Sequence, residues 1–180
     1  MQNKNKTFQS YMYAVLWCVI AIFIDQITKW LVVHNLKGKD SITIIPNVFE
    51  LHYLENRGAA FGMLQNKQII FLIGASIVLI AIGYLYGKIP HTSRYFWLRF
   101  CAVLVCAGAI GNLIDRIRLN YVIDFFYFSL IDFPIFNVAD MYVVIAAFLL
   151  IFVSIFVYKE DSDFDFLNPK KGGSHEQLDR

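Results

Sequence analysis

Residues 141–158 read MYVVIAAFLLIFVSIFVY, an unbroken run without one charged side chain. Such a run offers no polar face to water, and about 20 mostly apolar residues are what a helix needs to cross a bilayer. Working outward from it, three more segments have the same character: 11–33, 68–86 and 95–114. The composition agrees. Of the 180 residues 58% are hydrophobic and 17% charged, with mean hydropathy +0.53, whereas an ordinary soluble domain is about 45–50% apolar. A soluble helical bundle does not account for the near-continuous fourth run. The fold class expected is therefore a membrane all-α protein with a small β part: four transmembrane helices plus a short extracytoplasmic β-cradle.

The first apolar segment follows a basic lead, QNKNK, as a cleavable signal peptide would. Its apolar character continues past Asp25 to Val33, too long for such a leader, and no small-x-small cleavage site closes it. A retained helix is expected. Four crossings place both termini and the short connection 87–94 on one side, and the long connections 34–67 and 115–140 on the other. Lys4, Lys6, Lys88, Arg94, Arg99, Lys159, Lys170, Lys171 and Arg180 fall on the first side. Lys37, Lys39, Arg57, Lys67, Arg116 and Arg118 fall on the second. The excess favours cytoplasmic termini by the positive-inside rule.

The long connections carry their own pattern. SITIIPNVFELHYLE (41–55) is rich in β-branched and aromatic residues, and Pro46-Asn47 breaks it in the middle, as in a short hairpin. YVIDFFYFSLIDFPIF (121–136) is β-prone and aromatic, suited to a loop at headgroup level. The last residues, 159–180, are charged and polar and are expected to be a disordered cytoplasmic tail behind a membrane domain of residues 1–158.

Polar residues in the apolar segments collect at one level. Asp25 and Lys29 stand one helical turn apart, where an i, i+4 ion pair lowers the cost of both. Asn112, Asp115 and Arg116 close the third segment, and Asp140 opens the fourth. All lie at or near the side of the long connections. Chance would have used the opposite ends equally, and a polar site at this level follows.

The chemistry narrows by residue type. Cys18, Cys101 and Cys106 have no paired spacing for metal or redox work, and read as packing residues. His34, His52, His91 and His175 form no HExxH pattern, so no metal is expected. GxSxG and GxxxxGK[ST] are absent, and no cofactor or nucleic-acid partner is indicated. Carboxylates remain. Asp124 and Asp140 are separated by a connection long enough to let them meet, and two close carboxylates resist ionising together, which suits proton transfer. Asp132 lies nearby too, and loop aspartates often cap turns.

Five blocks occur in order on this chain: FIDQITK (23–29), ENRGAAFG (55–62), GAIGNLIDR (108–116), YVIDF (121–125) and FPIFNVAD (133–140). Together they resemble the lipoprotein signal peptidases, or signal peptidase II, over nearly the whole chain before residue 158. The resemblance implies a bacterial aspartic peptidase of the cytoplasmic membrane that removes the signal peptide from prolipoproteins, cutting just before a diacylglyceryl cysteine. It implies Asp124 and Asp140 as the catalytic pair. It also implies Asn56, Asn112, Asp115, Arg116 and Asn137 as polar residues around the site, and Asp25 and Lys29 as the first-helix pair. The expected partners are diacylglyceryl-prolipoproteins and membrane lipid, and the expected state is a monomer. From the residues alone a proton-coupled carrier or a scaffolding subunit stays open, although a carrier would place charges near the midplane and show internal repeats.

Overall fold

A computed structural model of the chain describes residues 2–58 and 67–167. It contains four long helices, α1 (Gln2–Leu36), α2 (Gln68–Lys88), α3 (Phe96–Leu119) and α4 (Val138–Phe156), and three strands, β1 (Ile42–Ile45), β2 (Phe49–Asn56) and β3 (Val122–Tyr127). The spans Thr7–Leu36, Gln68–Lys88, Ser93–Leu119 and Val138–Phe156 are each long and apolar enough to cross a membrane. The chain is a multi-pass membrane protein, with large side chains such as Trp17, Ile80 and Phe148 facing outward from the bundle.

Helix α3 packs against the other three helices. Lipid tails are as apolar as leucine, so helices in a membrane associate through close packing rather than escape from water. Two glycines of α3 permit it. A Cβ on Gly108 would lie 2.5 Å from the Ala139 carbonyl oxygen, and one on Gly111 would lie 2.6 Å from Asp25 Oδ2. Both α4 and α1 therefore approach the backbone of α3 directly.

The hairpin expected around Pro46-Asn47 is β1 and β2, antiparallel, with Asn47 at φ 59° in the turn. The aromatic stretch 121–136, expected as a surface loop, begins instead as β3. It joins the sheet in the order β1-β2-β3, antiparallel to β2 with Leu54 opposite Asp124 and Asn56 opposite Val122. Burial explains the difference: Val122, Ile123, Asp124 and Phe125 are all buried. Ile123 and Phe125 pack on Val32 and Leu36 at the end of α1, which fastens the sheet to the bundle.

Helix ends differ from the hydropathy boundaries for a physical reason. The apolar run of α3 stops at Ile114, but the helix continues to Leu119 because hydrogen bonding, not lipid, sustains it there. It ends at Asn120, whose left-handed backbone (φ 62°) directs its N–H to the Arg116 carbonyl. The segment beyond α4 also departs from a featureless tail. Asp161–Leu167 forms a 3-10 helix, and Asp163 accepts from Arg94 Nε at 2.6 Å and Nη2 at 2.8 Å. Residues 168–180 lie outside the described residues.

Candidate active site

The site grows from the first turn of α4. Asn137, not Asp140, is the N-cap: its Oδ1 accepts from Asp140 N at 3.0 Å, while Asp140 Oδ2 accepts from Asn137 N at 3.1 Å. This reciprocal capping box satisfies two backbone donors and fixes the Asp140 carboxylate on the helix end. The spare hydrogens of Asn137 then go to other elements. Its Nδ2 donates to Asp124 Oδ1 at 2.6 Å and to Asn112 Oδ1 at 3.0 Å.

Asp124 reaches this point from β3. Its other oxygen accepts from Asn56 Nδ2 at 2.7 Å, a contact made by the last residue of β2, whose own Oδ1 accepts from Gly58 N at 2.9 Å. Asn112 of α3 donates to Asp140 Oδ1 at 2.7 Å. Three asparagines thus hold two carboxylates, and Asn137 contacts both.

A second layer lies against the first. Lys29 Nζ is 3.0 Å from Asp25 Oδ2, 2.9 Å from Asp115 Oδ2 and 3.0 Å from Asn112 Oδ1, and the three charged residues are almost wholly buried. A lone charge at this depth would be costly, so the cation sits between two anions. Asp25 also accepts from Ala139 N at 3.0 Å, an anion at the positive end of α4. Asp115 accepts from Ile123 N at 3.2 Å, which ties α3 to the strand bearing Asp124. Gln26, which the sequence reading passed over, donates to Asp25, to Asp115 and to the Gly111 carbonyl. Its signal was its place in FIDQITK, one residue from the ion pair.

Arg116 is arranged differently from the carboxylate partner that its charge suggests. It donates to the Asn112 carbonyl at 3.4 Å and lies over the Phe71 ring, 4.6 Å from the centroid. Asp132 stands apart: it accepts from Tyr127 Oη at 2.7 Å in a turn where its φ is 49°. All nine candidate residues are in the asparagine network, the lysine layer or the wall of the adjoining cavity. Residues 59–62 of ENRGAAFG lie outside the described residues.

That cavity has a volume of about 480 Å³. Asn56, Asn112, Arg116, Asp124 and Asp140 form its polar side, and apolar residues such as Phe136 and Val144 form the remainder. Burial, and then the Asp140 charge, push the Asp124 carboxyl up to about 7, against the pull of the Asn56 and Asn137 donors. Glu55, next to Asn56, shows the opposite case, lowered to about 2 by the Lys37 ammonium that it accepts from. Burial and the neighbouring charge thus favour the protonated form of the Asp124 carboxyl.

The family model described as signal peptidase (SPase) II matches residues 17–156. The chain belongs to the signal peptidase II family. Among relatives, the lipoprotein signal peptidase of Clostridioides difficile (strain 630) is 43% identical over 150 residues, covering 82% of this chain and 99% of that one. That of Caldanaerobacter subterraneus subsp. tengcongensis is 43% identical over 144 residues, covering 79% and 96%. Two solved bacterial membrane enzymes share the fold. One, determined in meso at 2.3 Å, has a TM-score of 0.69 and 30% identity over 83% of this chain and 92% of its own. The other, at 1.9 Å, has a TM-score of 0.68 and 32% identity over 79% and 92%. As a signal peptidase II the chain is a protease, and the family match takes in every candidate site residue.

Proposed function

We propose that this signal peptidase II is an aspartic endopeptidase that removes the signal peptide from diacylglyceryl-modified prolipoproteins, cutting before the lipidated cysteine, with Asp124 and Asp140 as its catalytic pair. One observation carries the reading: Asp124 and Asp140 share Asn137 as a hydrogen-bond donor and both line the cavity. In the proposed reaction the ionised Asp140 takes a proton from water as the oxygen attacks the scissile carbonyl carbon. Neutral Asp124 gives its proton to the carbonyl oxygen, forming a gem-diol. Asp140 then protonates the leaving nitrogen while Asp124 recovers a proton from a hydroxyl, and the C–N bond breaks.

The other residues serve this pair. Asn56, Asn112 and Asn137 hold the carboxylates. Asp25, Lys29 and Asp115 brace the helix ends behind them, and Arg116 steadies the substrate backbone from the cavity wall. The peptidase unit is residues 1–158 and acts as a monomer, with both termini cytoplasmic and the cavity toward the outer face. There a substrate anchored by its diacylglyceryl group arrives by lateral diffusion in the lipid. Asp25, Asp115, Asn112 and Asp140, drawn from three helices, meet the sheet at one end of the bundle, which supports a reaction near the membrane surface.

The test is cleavage of a diacylglyceryl-prolipoprotein by the purified chain in liposomes, followed by size shift. Wild type cleaves, and Asp124→Asn and Asp140→Asn, each folded by thermal melt, lose activity by about 10²-fold or more. Normal cleavage by either variant overturns the dyad. An inert wild type on a verified diacylglyceryl-prolipoprotein overturns the proposed cut before the lipidated cysteine.

A further inference from the structure

A second cavity, of about 660 Å³, opens at the end of the bundle away from the carboxylates, between α1, α3 and the last turn of α2. Its polar lining residues, Gln9, Ser10 and Arg99, sit toward the helix ends on this side, beside the rings of Tyr86 and Phe96. On α1, Gln9 and Ser10 come first, then Tyr13, then Trp17, a rise of about 12 Å along the helix. On α3, Phe96 comes first, then Arg99, and beyond it Phe100 and Val103. The rings of Tyr13 and Trp17 are 62% and 60% exposed, so they stand open along the wall instead of being consumed by packing.

Arg99 sets the sign of the mouth. Its guanidinium donates to the carbonyls of Pro90 and Thr92, which closes the α2–α3 connection but neutralises no charge. On this side of the bundle Arg94 pairs with Asp163, while the contacts of the Arg99 guanidinium are to backbone carbonyls. A fixed cation at the mouth of an aromatic slot running from the membrane face toward its interior matches a molecule with an anionic head and an acyl chain. The basic lead of a signal peptide carries the wrong sign, and a second copy of this chain would bring the same cation.

We infer that this cavity is a binding site for an anionic phospholipid, its phosphate at Arg99 and Gln9 and its acyl chain along Tyr13 and Trp17. With the termini cytoplasmic, the lipid comes from the inner leaflet. The site is separate from the carboxylate cavity and stands whether or not the dyad assignment does.

Trp17 lines the cavity, and Trp30 and Trp97 are the other two tryptophans. In full-length Trp30→Phe/Trp97→Phe protein, Trp17 fluorescence is read in phosphatidylcholine bilayers doped with dibrominated phosphatidylglycerol or dibrominated phosphatidylcholine. Half-maximal quenching occurs at an about fivefold lower mole fraction of the anionic lipid, the factor expected of one basic side chain meeting an anionic headgroup. Arg99→Lys keeps the preference and Arg99→Gln removes it. Gln9→Glu, which leaves the Arg99 loop contacts intact, lowers it as well. Equal quenching by the two lipids overturns the site, as does a preference unchanged in Gln9→Glu, even if Arg99→Gln fails to fold.

Discussion

Replacing Lys29 by methionine tests whether the layer behind the carboxylates holds the site together. Methionine keeps the aliphatic stem and removes the ammonium, and with it three contacts of 2.9–3.0 Å. Asp25 and Asp115, both almost wholly buried, are left facing each other without a cation. Breaking a buried ion pair from one side costs about 3–5 kcal/mol. For a chain of this size each kcal/mol moves the melting temperature by about 2–4 °C, so the expected fall is about 6–20 °C. The assay is thermal unfolding in detergent with a thiol-reactive dye that reports exposure of the cysteines, of which Cys101 is buried. Lys29→Met/Asp115→Asn removes the repulsion together with the cation, leaves Asp25 its Ala139 and Gln26 donors, and recovers at least half of the loss. A fall below about 2 °C for the single variant, or additivity of the two changes within about 0.5 kcal/mol, refutes the reasoning.

With Asp124 as the proposed proton donor, cleavage rates measured against pH fall about tenfold per unit above about 7. Asn56→Ala removes a donor that holds the Asp124 pKa down, so the kcat profile moves to higher pH, and movement to lower pH contradicts the assignment. The same group affects folding. Its folded pKa lies above the ordinary value, the native state binds more protons, and stability declines as pH rises from about 4 to about 7, a slope that Asp124→Asn flattens in melts across that range. Gly108→Ala places a Cβ 2.5 Å from a backbone oxygen and lowers stability by about 1–3 kcal/mol in thermal melts. Gly74→Ala, inside α2 with nothing within 4 Å, leaves stability unchanged or raises it by up to about 1 kcal/mol. Arg94→Ala frees Asp163, and limited proteolysis then cuts the segment after α4 faster while prolipoprotein cleavage continues.

Hydropathy made the four helices legible because lipid demands long apolar runs, and the charges in them were legible because lipid penalises them. Asp25, Lys29, Asn112, Asp115 and Asp140 therefore stood out by position. Asp124 and Asn56 were harder. They lie in connections where polar residues are ordinary, and only the pairing of β3 with β2, a contact between distant segments, brings them beside α4. Resemblance of the blocks, rather than spacing, singled them out. Arg116 was legible as a charge but not as a cation lying over Phe71, since no local pattern records a ring from another helix. The capping role of Asn137 was hidden for a related reason: FNVAD contains two residues able to cap, and only backbone geometry distinguishes them.

The Lys29 contacts also bear on the order in which the chain is made. As α1 enters the bilayer during synthesis, Asp25 is the anion already within reach, and Asp115 emerges some 85 residues later on α3. The capping box follows later still, with α4, whose Ala139 N–H returns to Asp25. The pair on α1 thus acts as a template that waits for its third and fourth partners, and the carboxylates converge only once the last helix has inserted. A nascent chain stalled before α4 carries Asp124 but not Asp140, and so holds half of the proposed dyad.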